Sequence, residues 1–444
     1  MRKFPNALVI MIGFILFSSI LTYIIPHGTY ERITDANTDQ VTVVPGSYKV
    51  IESDSLSIFD VFMSIPQGII GRADVITLIL LLGGCFYVID RTGALKEGIV
   101  YLTEKLKGFE EIALVMVASV FVAGGALSGL QEEIIAMTPV MLYFTSRLGY
   151  DAFVAVAVSF GSAVVGSSFS PINPFAVVLA QNEAGLPFLS GSGYRILILL
   201  IAFSLWMFMI IRYANKNRVP KLEETVNKEQ SLSARSAIIL ALVALTFVIL
   251  IYGMLKLNWG FIEMTAEFFV LGIIVGLIGK LGLDGTSEAY ISGFKEMTFA
   301  AIILGLANSI SLILKQGMII DTIIHGLFTP MQYLPKSLAA ISMMISQSLL
   351  HIPVPSYSGQ AILTMPILLP LSDLIGVSRQ VCVLAYQYGA VMMDVIIPTN
   401  GGLMAVIAIA GISFDKWFKF VLKPMLVILG LCAIAIVVAI FIGF

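Results

Sequence analysis

Apolar residues fall in blocks along the whole chain, at 5–25, 74–89, 196–211, 237–254, 266–279, 298–314 and 420–444. A hydrocarbon core about 30 Å thick takes roughly 20 such residues per helix, fewer with polar anchors at the ends. The pattern predicts an all-α polytopic membrane protein. Two pairs of blocks are too short to be spans. The runs 112–127 and 134–145 are separated by the polar stretch Ser128-Gly-Leu-Gln-Glu-Glu133, and 337–350 and 361–371 by His351-Ile-Pro-Val-Pro-Ser-Tyr-Ser-Gly-Gln360. They predict two re-entrant hairpins, at 112–147 and 335–375, whose polar tips sit at membrane depth. Two further blocks, 152–182 and 379–411, are longer than one span needs, and each is interrupted: the first by SSFSPINP, the second by PTNGG. Proline removes a backbone donor, while Ser and Asn can re-satisfy the groups it frees, so both read as broken transmembrane helices.

The interruptions correspond. One common shift along the chain lays Pro139 on Pro366, Gly149 on Gly376, Pro171 on Pro398 and Asn173 on Asn400. The halves 1–212 and 257–444 are therefore expected to be inverted-topology repeats, joined by a polar linker at 213–236 and a connecting helix at 237–256 that reverses the second half. Short amphipathic stretches at 57–70 and 286–297 are expected to lie along the two membrane faces. Lys and Arg concentrate in cytoplasmic loops. Arg2 and Lys3 place the N-terminus inside, Arg212, Lys216, Arg218, Lys221, Lys228 and Arg235 place the linker inside, and the acidic, β-prone loop 29–56 lies outside. The first apolar block has no small-residue cleavage site after it and reads as a retained anchor. A bacterial cytoplasmic (inner) membrane is the expected location.

Composition adds mainly exclusions. The chain is 58% hydrophobic and 12% charged, with a formal net charge of −2. Cys85, Cys382 and Cys432 lie in apolar segments without CxxC spacing, so neither disulfides nor a metal centre is suggested. No HExxH, GxSxG or phosphate-loop motif occurs, and only three histidines are present, which argues against an enzyme. Two broken helices and two hairpin tips instead describe a secondary transporter. Half-helix N-termini offer N–H groups to an anion, and unwound carbonyls suit a cation. The candidate substrate-binding residues are Ser128, Gln131, Glu132, Glu133, Ser168, Ser170, Asn173, Ser356, Ser358, Gln360, Asp394, Thr399 and Asn400, with a Na⁺ site near Asn173 and Asn400. Glu132 and Glu133 also suit a helix N-terminus, and Asp394 could serve Asn400 as a hydrogen-bond partner. His351 reads as structural, and Asn308 and Gln347 as interhelical contacts.

Several stretches carry a family resemblance over nearly the full chain. LTYIIPHGTYER at 21–32, GLQEE at 129–133, GYDAFVAV at 149–156, INPFAVVLAQNEAGLPFLSGSGYR at 172–195 and PSYSGQAILTMPILLPLSDLIGVSRQ at 355–380 resemble the YfcC-type transporters. These belong with the anaerobic C4-dicarboxylate carrier group of the ion-transporter superfamily, which also includes presumed basic amino-acid antiporters. The chain departs from the family pattern where an acid should follow the glycine, with Gln387-Tyr388-Gly389-Ala390 and its acid later, at Asp394. The resemblance implies a scaffold and a mobile transport domain, elevator-type alternating access, a homodimer in the lipid bilayer, and no soluble cofactor. Coupling by Na⁺, by H⁺ or by strict exchange all fit, and no nucleic-acid partner is expected. The deep polar set of three acids without Lys or Arg points to an amino acid, a basic one first; a C4-dicarboxylate or other small carboxylate is the alternative, and a channel a more distant one.

This topology has a direct test. Cysteines introduced at Asn37 and Asn217 should react with a membrane-impermeant maleimide from opposite sides of sealed vesicles. Labelling of both from the same side would refute the arrangement.

Overall fold

The computed structural model describes the chain apart from residues 1–4, 6, 35–40, 45, 53–55, 188, 223–231 and 258, so Arg2, Lys3, Asn37 and Lys228 lie outside the described residues. Helix α1 (Ala7–Ile24) leads into two short antiparallel ladders, β1 (Gly28–Thr29) with β4 (Lys49–Val50), and β2 (Arg32–Thr34) with β3 (Val41–Val43). The helices α2 (Ile58–Ile70), α3 (Ala73–Arg91), α4 (Ala94–Lys105), α5 (Glu110–Ser128) and α6 (Glu132–Leu148) follow. A discontinuous helix comes next, α7 (Ala152–Val156), α8 (Ser162–Phe169) and α9 (Leu179–Glu183), and then α10 (Ser192–Lys216). The second half holds α11 (Ala234–Lys256), α12 (Phe261–Ile278), α13 (Gly282–Gln316), α14 (Ile320–Phe328), α15 (Lys336–His351) and α16 (Tyr357–Ile375). A second discontinuous helix, α17 (Arg379–Val391) and α18 (Gly401–Ile409), precedes α19 (Phe414–Phe441).

Ten helices among the described residues are long and apolar enough to cross a membrane. Phe208 on α10, Val248 on α11 and Ile434 on α19 are 61%, 62% and 63% exposed, as lipid-facing side chains should be. The discontinuous first helix, by contrast, is 89% buried over its apolar window, so its irregular backbone lies inside protein. The order helical hairpin, discontinuous helix, final helix occurs in both halves: α5–α6, α7–α9, α10, then α15–α16, α17–α18, α19.

Several boundaries differ from the sequence reading. The arms of the first hairpin extend to 19 and 17 residues, because Glu110 and Glu111 and then Glu132 and Glu133 occupy first turns where carboxylates are favourable. The second arm of the other hairpin, α16, also reaches 19 residues, so α5 and α16 are both long and apolar enough to cross a membrane, against the expectation that these runs are too short to be spans. The amphipathic stretch 286–297 is no separate element: it is continuous with the following span in the 35-residue α13. No proline or cap interrupts that sequence, and α13 packs along α3 throughout. The stretch at 57–70 does form its own helix, α2, closed by a capping box between Ser57 and Asp60. The β-structured loop is tied down from below, where Asp321 of α14 accepts Tyr30 N–H at 2.9 Å and pairs with Arg32 at 2.7 Å.

Small residues let the helices approach. A Cβ on Gly166 of α8 would stand 2.1 Å from Val122 O of α5, and one on Gly125 of α5 would stand 2.0 Å from Ala163 O of α8. Gly389 of α17 meets Met344 O of α15 in the same way, at 2.2 Å. Gly272 and Gly276 of α12 are filled by Tyr290 and Thr286 of α13, so that motif serves packing within the chain. Because the obstacle at Gly166 is backbone, Gly166→Ala should destabilise the protein by about 1–3 kcal/mol. Thermal unfolding in detergent should show this as a lower midpoint, whereas Gly193→Ala, where nothing lies within 4 Å, should leave the midpoint in place.

Candidate functional site

The first break, at residues 170–173, is closed by its own side chains. Asn173 Oδ1 accepts the N–H groups of Phe175 and Ala176 at 3.0 and 2.9 Å, and Nδ2 donates to Gly125 O at 2.8 Å. The Ser170 hydroxyl donates to Ala126 O at 2.6 Å and accepts Asn173 N–H at 2.8 Å. The Ser170 carbonyl accepts Gln387 Nε2 at 2.8 Å from α17. Asn173 thus caps the resumed helix and ties it to the end of α5, which is why Pro174 can follow it as a first helical residue.

The second break, at residues 396–400, is capped alike: Asn400 Oδ1 accepts Leu403 N–H at 2.7 Å. Its Nδ2 has a different partner, donating to Asp394 Oδ1 at 2.6 Å. Asp394 gathers three more bonds. His351 Nε2 lies 2.9 Å from Oδ1, Gln131 Nε2 donates to Oδ2 at 3.0 Å, and the Tyr357 hydroxyl donates to Oδ2 as well. An ionised carboxylate offers about four acceptor positions, and all are used here. The donors come from the turn before α6, the end of α15, the start of α16 and the second break, so one buried acid links both hairpin tips to the second discontinuous helix.

A cavity of about 310 Å³ opens beside this hub. Ser128, Gln131, Glu132, Glu133, Ser356, Ser358, Asp394 and Asn400 line it, as expected. Three helices begin at its wall, α6, α16 and α18, so the positive ends of their dipoles lie beside it. Phe175, Met254, Trp259 and Phe261 form an apolar side. Thr399 lines an adjoining cavity of about 210 Å³, where its buried hydroxyl has no hydrogen-bond partner.

Four predicted residues stand behind the wall. Ser168 donates to Val164 O within its own helix at 2.7 Å, and Ser170 and Asn173 serve the first break. Gln360 donates to Gln347 O at 2.8 Å. Both asparagines spend their side-chain oxygens on helix caps, and the described residues hold no cluster of His, Cys, Asp or Glu suited to a metal ion. The two acids at the α6 N-terminus are unequal. Glu133 is 4% exposed and accepts Gln131 N–H at 3.2 Å, while Glu132 is the more accessible.

Besides the apolar side, the sequence reading missed Arg72 and Tyr357. Arg72 lies on the wall of both cavities, which corrects the premise that the deep polar set has no basic member. It sits in the Gly71-Arg72 turn between α2 and α3, a gap whose brevity was the available signal. Tyr357 stood inside the tip PSYSGQ, but its reach to Asp394 depends on the second break folding against the tip.

Ten apolar helices among the described residues and unwound segments held inside protein describe a multi-pass membrane protein, and the family it matches is one of transporters. The chain matches the family model "C4-dicarboxylate anaerobic carrier" over residues 4–441 and belongs to that family. It is 32% identical over 481 residues to an uncharacterized protein of Haemophilus influenzae, covering 96% of this chain and 94% of the relative. It is 29% identical over 465 residues to the putative basic amino acid antiporter YfcC of Escherichia coli, covering 94% and 92%. Among solved structures, it aligns with the YdaH transporter of Alcanivorax borkumensis at a TM-score of 0.47 and 15% identity, covering 99% of each chain. The corresponding values for MtrF of Neisseria gonorrhoeae are 0.44 and 14%, with 98% and 95% covered.

The hub makes a specific demand on Tyr357. Removing its hydroxyl leaves a buried Asp394 acceptor and Gln131 with one fewer partner, a loss of about 1–3 kcal/mol. Tyr357→Phe should therefore lower the unfolding midpoint in detergent, and a midpoint equal to that of the unaltered protein would remove Tyr357 from the hub.

Proposed function

We propose that the chain is an amino-acid exchanger of the bacterial cytoplasmic membrane, with basic amino acids as first-choice substrates. The observation that carries this reading is the bipolar lining of the cavity. Arg72 and three helix N-termini offer a place for an α-carboxylate. Glu132, with Glu133 beside it, offers partners to an ammonium or guanidinium group, and charged groups taken from water need such partners. Phe175, Trp259 and Phe261 give an apolar surface for an aliphatic stem. The similarity to a putative basic amino acid antiporter agrees with this. A C4-dicarboxylate is the second reading, supported by Arg72 and the helix ends, and it would bring two further carboxylates to a wall that already holds Glu132, Glu133 and Asp394 with Arg72 as its one basic side chain.

Alternating access of the elevator type, in a homodimer, is part of the proposal. The recurring order of elements and the matched caps at Asn173 and Asn400 support inverted repeats with α5–α6 and α15–α16 as re-entrant hairpins. With the linker inside, as its Lys and Arg residues suggest, the turn at Trp259 and Gly260 would lie outside, and the proposal reads the cavity bordered by these residues as outward-facing.

Counterflow into proteoliposomes tests the substrate. Arginine, lysine or ornithine should exchange faster than succinate or fumarate. Glu132→Gln should cut that exchange about tenfold or more, the cost of one charge-assisted contact, and Glu133→Gln should also impair it. Faster exchange of succinate, with Glu132→Gln and Glu133→Gln both harmless, would sink the amino-acid reading.

A further inference from the structure

The hydrogen bonds behind the cavity count protons. Gln360 Nε2 donates to the main-chain carbonyl of Gln347 at 2.8 Å, and also to the Gln347 side-chain oxygen. A main-chain carbonyl can only accept, so the Gln360 amide has a single orientation and its Oε1 faces His351 Nδ1 at 2.6 Å. His351 Nδ1 must then carry a hydrogen. The other ring nitrogen, Nε2, faces Asp394 Oδ1 at 2.9 Å. Asn400 fixes the character of that oxygen, because its own amide is oriented by Leu403 N–H, which leaves Nδ2 to donate to Asp394. Either Nε2 carries a second hydrogen toward a carboxylate, or the acid itself carries it. In both cases the pair holds one proton more than a neutral imidazole beside an ionised acid would. His351 is 0% and Asp394 2% exposed, so that proton is buried, and of the two side chains only Asp394 borders the cavity.

We propose that His351 and Asp394 form the proton-coupling site of this transporter, and that the proton and a cationic substrate occupy the protein in turn. This rests on the amino-acid reading only for the identity of the substrate. With the proton present the pair is neutral; once it leaves, His351 is a neutral imidazole and Asp394 adds one negative charge to the cavity wall. The N–H bond at Nε2 breaks, the proton passes to Asp394 and then to water in the cavity, and an arriving cation takes its place. Proton and cation each balance the same charge, so both cannot be held at little cost. Other titratable groups surround the pair. Tyr357 of α16 stacks on the His351 ring with centroids 5.7 Å apart, and Tyr386 of α17 donates to Tyr357 O at 2.6 Å. Glu132, Glu133 and Arg72 face Asp394 across the cavity. Helices α14 and α19, which also pack on α15, send no hydrogen bond to the pair among the described residues.

The test uses the purified full chain in sodium-free proteoliposomes loaded with a pH-reporting dye. An acid interior should drive arginine uptake above equilibrium, approaching about tenfold per pH unit for one-for-one exchange, and the dye should report alkalinisation as arginine enters. In His351→Gln, which keeps a polar side chain but not the extra proton, the ratio of gradient-driven uptake to counterflow should fall to about one, whatever the absolute rate. Uptake indifferent to the pH gradient, uptake that follows a sodium gradient with no dye response, or an undiminished ratio in His351→Gln would each overturn the proposal. Should that variant carry no flux, calorimetry of arginine binding to the unaltered protein in two buffers of different ionisation enthalpy decides. Release of about one proton supports the site, and release of none overturns it. If succinate exchanges instead, the same measurements with succinate separate the claims. A His351-dependent proton flux would keep the coupling pair while discarding the amino acid.

Discussion

A backbone amide or carbonyl without a partner costs several kcal/mol in hydrocarbon, and that cost governs how this protein can unwind two helices. Each break is answered by a cap drawn from the break itself and by neighbours that bring side chains or carbonyls to within hydrogen-bond reach. At the first, Asn173 and Ser170 bond the end of α5, and Gln387 closes the carbonyl that remains. Such contacts require backbones to come close, and the glycines at 125, 166 and 389 are the positions where the helices meet without a Cβ between them. The packing of α5 on α8 and of α15 on α17 is therefore a condition for the unwound segments to exist.

The two breaks use this freedom differently. Asn173 is spent entirely on neighbouring main chain, so the first break is a closed joint. Asn400 caps its helix with one atom and holds Asp394 with another. Asp394 then draws in donors from both hairpin tips. A buried carboxylate with four donors is far less costly than an unpaired one, but loss of any donor leaves charge unbalanced. The second break is thus the one whose local geometry is sensitive to what happens in the cavity.

The all-helical membrane architecture is legible in the sequence. Prolines and asparagines inside apolar runs mark the places where helices stop and resume near residues 170–173 and 396–400, because that signal depends on local backbone chemistry. What stayed hidden depends on distant packing. No spacing rule places Arg72, in a two-residue turn, on the same wall as Glu132, and none tells that Gln360 and Asn173 stand behind the wall rather than on it. The continuity of α13 was equally invisible, since an amphipathic surface segment and the first turns of a long helix have the same pattern. His351 was read as structural from its place near a tip, and only its two opposed acceptors, Gln360 and Asp394, give it a proton count.

The arrangement also separates tasks that one acid could not perform together. Glu132 is half-buried and no hydrogen bond to its side chain occurs among the described residues, so on the proposed reading it can exchange its partner with each transport cycle. Asp394 is buried and held by four groups, so its oxygens are already committed to donors from the protein. On the proposed reading, a loosely held acid for the substrate and a tightly held acid for the proton would let the two ligands sense each other through charge, without competing for the same oxygen atoms. Because Gln131 bonds Asp394 while Glu133 bonds the Gln131 main chain, the same three-residue turn at the start of α6 carries both acids' surroundings. A shift of that turn would change substrate contact and proton affinity in one movement, which is the physical requirement for coupling.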